Sequence, residues 1–220
     1  MTRLAFGYKI HSNDGKTLPV KLYSYIVTHD TGFSPNPFWG YCTLADCKPA
    51  IRRTANIGDW IVGLSPKSKG NRIVFAMEID EILDYAAYFL DKRFANKIPD
   101  YTNDKVIWKS GDNIYQPLPN GEFHQLQSMH SNGPEEKPQT KTHDLGGKHV
   151  LIGKRFYYFG ASGPLLPATL EILKVGRAHK DHFSLEIITA FLDFISSHPQ
   201  GVTASPTNWP DGDMSWKQQG

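Results

Sequence analysis

Gly58-Asp59-Trp60-Ile61-Val62-Gly63-Leu64 and, beyond the basic loop Lys67-Ser68-Lys69-Gly70-Asn71, Arg72-Ile73-Val74-Phe75-Ala76-Met77-Glu78-Ile79 form the most legible unit of the chain. Both runs are rich in β-branched and aromatic residues, and a Gly/Asn/Lys turn parts them, so they predict an antiparallel hairpin launched by the turn Asn56-Ile57-Gly58-Asp59. Upstream, Leu22-Tyr23-Ser24-Tyr25-Ile26-Val27-Thr28 has the same composition and is closed by Asp30-Thr31-Gly32, which predicts another strand. From Gly32 to Pro49 neither a period of two nor one of 3.6 is present. That segment predicts a long loop or a few helical turns pinned by Phe33, Phe38, Trp39 and Tyr41, and long ordered loops are often functional.

Residues 1–21 read as an N-terminal extension, either loose or a short hairpin about Asn13-Asp14-Gly15 between Tyr8-Lys9-Ile10 and Leu18-Pro19-Val20. Asp84 is placed to cap a short helix in which Ala87, Leu90 and Phe94 share a face, with Pro99 ending the region. Asp112-Asn113-Ile114-Tyr115 and Glu122-Phe123-His124-Gln125-Leu126 flank Pro119-Asn120-Gly121, a second hairpin signal. Residues 128–148 are polar and read as a mobile insertion, followed by a final strand from His149 to Phe159. Ser184 caps an amphipathic helix whose Leu185, Ile188, Phe191, Leu192 and Ile195 face a core, with Phe183 able to staple against Ile188. Residues 199–220, with Trp209 and Trp216, have no periodicity and form a tail that wraps the domain or frays. The pattern predicts an α+β protein with one domain over residues 22–198.

Composition narrows the function classes. Lys and Arg total 24 against 22 Asp and Glu, a net charge of +2, so a nucleic-acid surface would be a local patch and not a polybasic arm. The 19 glycines and 15 prolines point to short elements joined by structured loops. The N-terminal stretch Met1-Thr2-Arg3-Leu4-Ala5-Phe6-Gly7-Tyr8 has no apolar core of signal-peptide length, and no later run approaches the ~18 apolar residues of a membrane span, so a cytoplasmic protein is expected. Cys42 and Cys47 are then expected as thiols.

Those thiols admit two chemistries. A structural zinc would need two further ligands, such as His29 and His130, and the His-x-Glu…Pro-Cys-x-x-Cys signature of zinc deaminases is missing, so no metal and no cofactor are expected. Cys42 as a nucleophile, with His130 or His29 as base and Asp30 or Asp112 orienting it, is chemically admissible because a thiolate needs a base or a cation beside it. Gly160-Ala161-Ser162-Gly163-Pro164 is not a nucleophile elbow, and no phosphate-cradling or dinucleotide-binding glycine motif occurs. Lys48, Arg52 and Arg53, following the ring-bearing loop, are the mixture that neutralises phosphates and stacks bases; Arg155 beside Phe156, Tyr157 and Tyr158 repeats it. The alternative for each cluster is a solvated charge next to core rings.

The run from Tyr25 through His29-Asp30-Thr31-Gly32-Phe33-Ser34-Pro35-Asn36-Pro37-Phe38-Trp39-Gly40-Tyr41-Cys42 to Pro49, then Ile51-Arg52-Arg53 and Gly58-Asp59-Trp60-Ile61-Val62-Gly63, resembles the second type of nucleotide-modification-associated domain. Gly111-Asp112-Asn113-Ile114-Tyr115, His130-Ser131 and Arg155 to Gly160 extend the resemblance, which covers about residues 22–180. It implies work in a system that makes or senses modified nucleobases. The order of elements is also similar to PUA-like barrels of the EVE and ASCH groups. That similarity implies a small mixed or antiparallel β-barrel with short flanking helices and the C-terminal amphipathic helix, and a base pocket built by the loop from Asp30 to Arg53. The expected base-binding set is Asp30, Phe33, Asn36, Phe38, Trp39, Tyr41, Asn113 and Tyr115, and the expected phosphate-binding set is Lys48, Arg52, Arg53 and Arg155. The expected partner is DNA or RNA containing a modified base, or a nucleotide. Competing with this reader is an enzyme that installs or removes a base modification through Cys42, His130 and Asp112, and a third reading is an interaction module whose rings are simply core.

Overall fold

The computed structural model describes residues 10–11, 17–18 and 20–218. Its strands are β1 (Ile10–His11), β2 (Thr17–Leu18), β3 (Leu22–Ile26), β4 (Cys42–Leu44), β5 (Trp60–Leu64), β6 (Ile73–Glu78), β7 (Glu81–Asp84), β8 (Tyr115–Pro117), β9 (Phe123–Gln125), β10 (His149–Gly153), β11 (Phe156–Tyr158), β12 (His179–Lys180) and β13 (Gly201–Val202). The α-helices are α1 (Pro49–Thr54), α2 (Tyr85–Leu90), α3 (Val106–Lys109), α4 (Pro138–Leu145) and α5 (Leu185–Ser196). Six strands form one sheet in the order β12-β3-β5-β6-β11-β13, and β4-β10-β7 form a second. The β5–β6 hairpin is antiparallel as expected, with Trp60 opposite Glu78 and a register shift at Gly63/Leu64. β8 and β9 make the second hairpin, with Tyr115 opposite Gln125. β1 pairs with β2, while the Asn13-Asp14-Gly15 turn lies outside the described residues.

Period-two alternation sorts the side chains of the large sheet between two cores. Leu22, Trp60, Val62, Ala76 and Tyr157 face α5. Tyr23, Tyr25, Ile61, Val74, Met77, Phe156 and Tyr158 face the small sheet, where Cys42, Leu44 and Leu151 meet them. On the far side of the small sheet, Val150 and Ile152 pack with Tyr85, Tyr88, Phe94, Ile114 and Tyr115. The chain passes between the sheets at one corner: β6 runs through Ile79-Asp80 into β7, and β10 through Lys154-Arg155 into β11, with Asp80 Oδ2 accepting from the Lys154 amide at 2.5 Å. The single strand expected over 149–159 is therefore two strands in different sheets. Among the described residues the six-stranded sheet ends on β12 and β13 and does not close, so the architecture is a mixed α/β one of mostly antiparallel sheets and the expected closed barrel is not formed.

Ser184 caps α5 through the Ile187 amide, and Ile188, Phe191, Leu192 and Ile195 are buried, but Leu185 in the first turn is exposed. Asp84 caps α2 by accepting from the Ala87 amide at 2.7 Å. Its buried face is Tyr85 and Tyr88, whereas Ala87 and Leu90 face solvent; a helix this short follows the rings that reach the core, and alanine spacing does not decide it. Residues 201–209 wrap back over the start of the loop: the Thr207 amide and hydroxyl donate to Asp30 Oδ2 at 2.7 and 2.9 Å, and Trp209 Nε1 donates to the Thr31 carbonyl at 2.7 Å. Phe38, fully buried, packs on Trp209, and Trp39 on Trp108 with ring centroids 4.6 Å apart. Phe38→Ala is expected to lower the urea-derived folding free energy by about 3–5 kcal/mol, as for other buried rings. A loss under about 1 kcal/mol would place Phe38 outside the core.

Candidate functional site

A cavity of about 810 Å³ opens beyond the C-terminal end of β3, between residues 27–34, the N-terminal end of α1, the turn at Met129-His130 and the α4 residue His143. The loop from Asp30 to Arg53 supplies Thr31, Phe33, Ser34, Cys47, Lys48 and Arg53 to its wall. Cys47 is partly exposed there, and His130 Nε2 lies 3.6 Å from its sulfur. The other imidazole nitrogen, Nδ1, is 2.6 Å from Asp144 Oδ2, and Asp144 is fully buried. Thiol, imidazole and carboxylate thus stand in the order of a nucleophile, its base and the base's orienting group.

The backbone around Cys47 is built to hold it. Cys47 and Lys48 both take left-handed conformations, with φ of 60° and 41°. Each such non-glycine residue costs on the order of 1–3 kcal/mol and persists only where its surroundings over-determine it. Here the Cys47 amide donates to Asp144 Oδ1 at 3.0 Å and its carbonyl accepts from Arg52 Nε at 2.8 Å. Arg52, with no exposed surface, also donates to the carbonyls of Asp144 (2.6 Å) and His149 (2.8 Å) and to the Tyr85 hydroxyl (2.6 Å). Tyr115 donates its hydroxyl to Asp144 Oδ2 at 2.9 Å.

Two buried carboxylates next to His130 are shifted in opposite directions. Burial alone would raise Asp144, but the hydrogen bond and charge of His130 and the Cys47 amide hold it below its ordinary value. Asp46 is raised well above its ordinary value, first by burial and then by Asp144, and among the described residues neither of its oxygens has a hydrogen-bond partner, so the interior disfavours its ionised form. Burial works against a charge on His130, yet the hydrogen bonds to Asp144 and Cys47 outweigh it and hold the imidazolium up to about 10. At neutral pH both ring nitrogens of His130 are therefore donors, one to Asp144 and one to the sulfur. Asp46, His130 and Asp144 also bring one ligand atom each within 4.8 Å, so they are the residues that could hold a cation, although Asp144 is already committed to three donors.

The other expected site residues are distributed differently. Cys42 is fully buried in β4 and burial pushes its thiol up, while Asp112 accepts from Thr43 Oγ1 and Tyr88 at 2.6 and 2.7 Å; neither reaches His130, so the trio Cys42, His130 and Asp112 is not assembled. Asn36 is held with the buried Lys97, whose Nζ donates to the Asn36 carbonyl, Asn36 Oδ1 and the Tyr41 carbonyl at 3.0, 2.7 and 3.0 Å. Burial lowers Lys97 to about 8 against the attraction of Asp112. Asn113 donates to the carbonyls of Tyr88 and Phe94, and Asp30 accepts from Tyr158 and Thr207. Phe38, Trp39, Tyr41 and Tyr115 do not line the cavity. Arg52 is an interior strut with no surface to offer a phosphate, and Arg155 lies over Trp60 at the sheet corner. Of the expected set the cavity wall keeps Phe33, Lys48, Arg53 and His130.

This is a thiol–imidazole–carboxylate site in a partly enclosed pocket. The family model for nucleotide modification associated domain 2 matches residues 19–213, and the chain belongs to that family. No curated protein and no solved structure matches the chain. Among the described residues no helix is long and apolar enough to cross a membrane.

Asp46 and Asp144 should respond oppositely to the same substitution. A group protonated in the fold but ionised in the unfolded chain lowers stability as pH rises above its unfolded value of about 4. Asp46→Asn should therefore leave stability unchanged or higher at neutral pH, with its advantage over wild type growing as pH rises from about 4. Asp144→Asn, which leaves the His130 charge without its carboxylate acceptor, should lower stability by about 3–5 kcal/mol at neutral pH. Equal losses in urea titrations of the two variants would contradict the assignment.

Proposed function

We propose that the protein is a nucleotide-modification enzyme that attacks a nucleobase or nucleotide substrate with the Cys47 thiolate. The observation that carries this reading is the Cys47 Sγ to His130 Nε2 contact of 3.6 Å on the wall of the 810 Å³ cavity, backed by the 2.6 Å hydrogen bond to Asp144. The volume suits a nucleotide-sized ligand, since small-molecule sites run to about 300–1,000 Å³. Cys47 adds to an electrophilic carbon: one S–C bond forms, the carbon's π bond to its neighbour opens, and the freed electron pair takes the Nε2 proton of His130. Reversal expels the thiolate and returns the proton to Nε2. Asp144 keeps the ring oriented and offsets its charge.

Recognition of a modified base in DNA or RNA, without turnover, is the second reading. Phe33 favours it: its ring, almost wholly buried, reaches the cavity wall 4.7 Å from the His130 ring centroid and gives a planar base an apolar edge to meet. The family membership fits both readings.

The test mixes the protein with nuclease digests of DNA and of RNA rich in modified bases, quenches in acid and weighs the intact chain. The enzyme reading expects an adduct on Cys47 that persists in Cys42→Ala and is lost in Cys47→Ala, and turnover slowed about 10²–10⁴-fold in His130→Ala. Retention of a base by wild type and Cys47→Ala alike, with no adduct and no product, would establish the reader instead.

A further inference from the structure

The charge of the cavity lining is one-sided. His29, Lys48, Arg53, His130, His143 and His179 line it, and among the described residues no aspartate or glutamate does. The chain as a whole is nearly balanced, with 24 Lys and Arg against 22 Asp and Glu, so this segregation belongs to the cavity. Lys48 is half-buried with its ammonium over the Tyr25 ring at 4.7 Å, and burial lowers its pKa; among the described residues no carboxylate is paired with it. Arg53 is exposed and donates from Nη1 to the Gly146 carbonyl at 2.7 Å, which fixes it at the junction of α1 and α4 beside the segment that carries His143. The apolar part of the wall, Phe33 and Met129, flanks His130 instead.

We infer that the cavity takes a nucleotide with its phosphate inside: the phosphate on Lys48 and Arg53 with the imidazole of His143, and the base toward Phe33, within reach of Cys47. The inference rests on the proposed thiol site and assigns its substrate class, a nucleoside phosphate and not a bare base or nucleoside. A phosphate oxygen supplies the anionic acceptor that the half-buried ammonium of Lys48 has no carboxylate to provide, and an arginine at the mouth adds a directional donor pair. The same chemistry is offered by a free nucleoside 5′-monophosphate and by a phosphodiester of a nucleotide turned out of a strand.

Protection of Cys47 from iodoacetamide distinguishes these sources. Intact wild-type protein is alkylated alone, then with 5′-monophosphates of the common ribo- and deoxyribonucleosides, with the matching nucleosides, and with a short single-stranded oligonucleotide, and labelling at Cys47 is read by mass spectrometry. The inference expects the monophosphates or the oligonucleotide to slow labelling at concentrations at least about tenfold below those at which nucleosides act, the ratio of one charge-assisted contact. Protection by free monophosphates identifies a nucleotide substrate, and protection by the oligonucleotide alone identifies a strand. Lys48→Met and, on the exposed side, Arg53→Gln should each remove that advantage while leaving nucleoside protection unchanged. Nucleosides protecting as well as their monophosphates would overturn the phosphate subsite and leave the base pocket standing. Alkylation of Cys47 that no nucleoside, nucleotide or oligonucleotide slows would overturn both.

Discussion

The buried guanidinium of Arg52 is the constraint around which the site is assembled. It ties together three segments distant in sequence: the end of the ring-bearing loop at Cys47, α2 at Tyr85, and the α4–β10 connection at Asp144 and His149. A buried cation is tolerated only where its donors are met, and four hydrogen bonds to oxygens do that here. Room for it comes from Gly147, where an added Cβ would lie 2.2 Å from the guanidinium carbon. The strained turn at Cys47-Lys48 follows from the same contacts, because the Cys47 carbonyl is drawn to Arg52 while its amide is drawn to Asp144.

Charge then settles which groups are ionised. Asp144 collects donors from Cys47, Tyr115 and His130, which favour its anion; Asp46, equally buried but without a donor among the described residues, is pushed toward the neutral acid. One buried anion beside one imidazolium and one guanidinium leaves the sulfur of Cys47 as the remaining acceptor for His130 Nε2. The thiol is at the cavity because the loop that carries it is locked from behind: Lys97 with Asn36, Asp30 with Thr207, and Phe38 with Trp209. A loop of this length without regular structure holds a fixed side-chain geometry only through such ties.

The sequence shows the sheet more clearly than the site. β3, the β5–β6 hairpin, the β8–β9 hairpin and α5 are legible because period-two and period-3.6 patterns and turn residues mark them locally. The corner at Lys154-Arg155 leaves no local mark, since the run from His149 to Phe159 is strand-like on both sides of it. His130 is legible as a candidate base, but its partners are not. Cys42 and Cys47 look alike in sequence, and only the fold shows that one is sealed in β4 and the other faces the cavity. Asp144 lies in a polar stretch read as a mobile insertion, where α4 now presents it to His130 and Arg52. Arg52 next to Arg53 reads as a surface pair, yet adjacent helix positions point about 100° apart, so one is sealed inside and the other exposed.

The charge on His130 is the quantity on which the account turns. Nitrogen-15 NMR of the histidine side chains, assigned by comparison with His130→Ala, reads it directly across a pH titration. Both His130 nitrogens should remain protonated through neutral pH and titrate near 10, with the value falling in Asp144→Asn and in Cys47→Ala. A His130 ring that is already a neutral tautomer at pH 7 in the folded protein would contradict the imidazolium–carboxylate pairing of His130 with Asp144 on which the site depends.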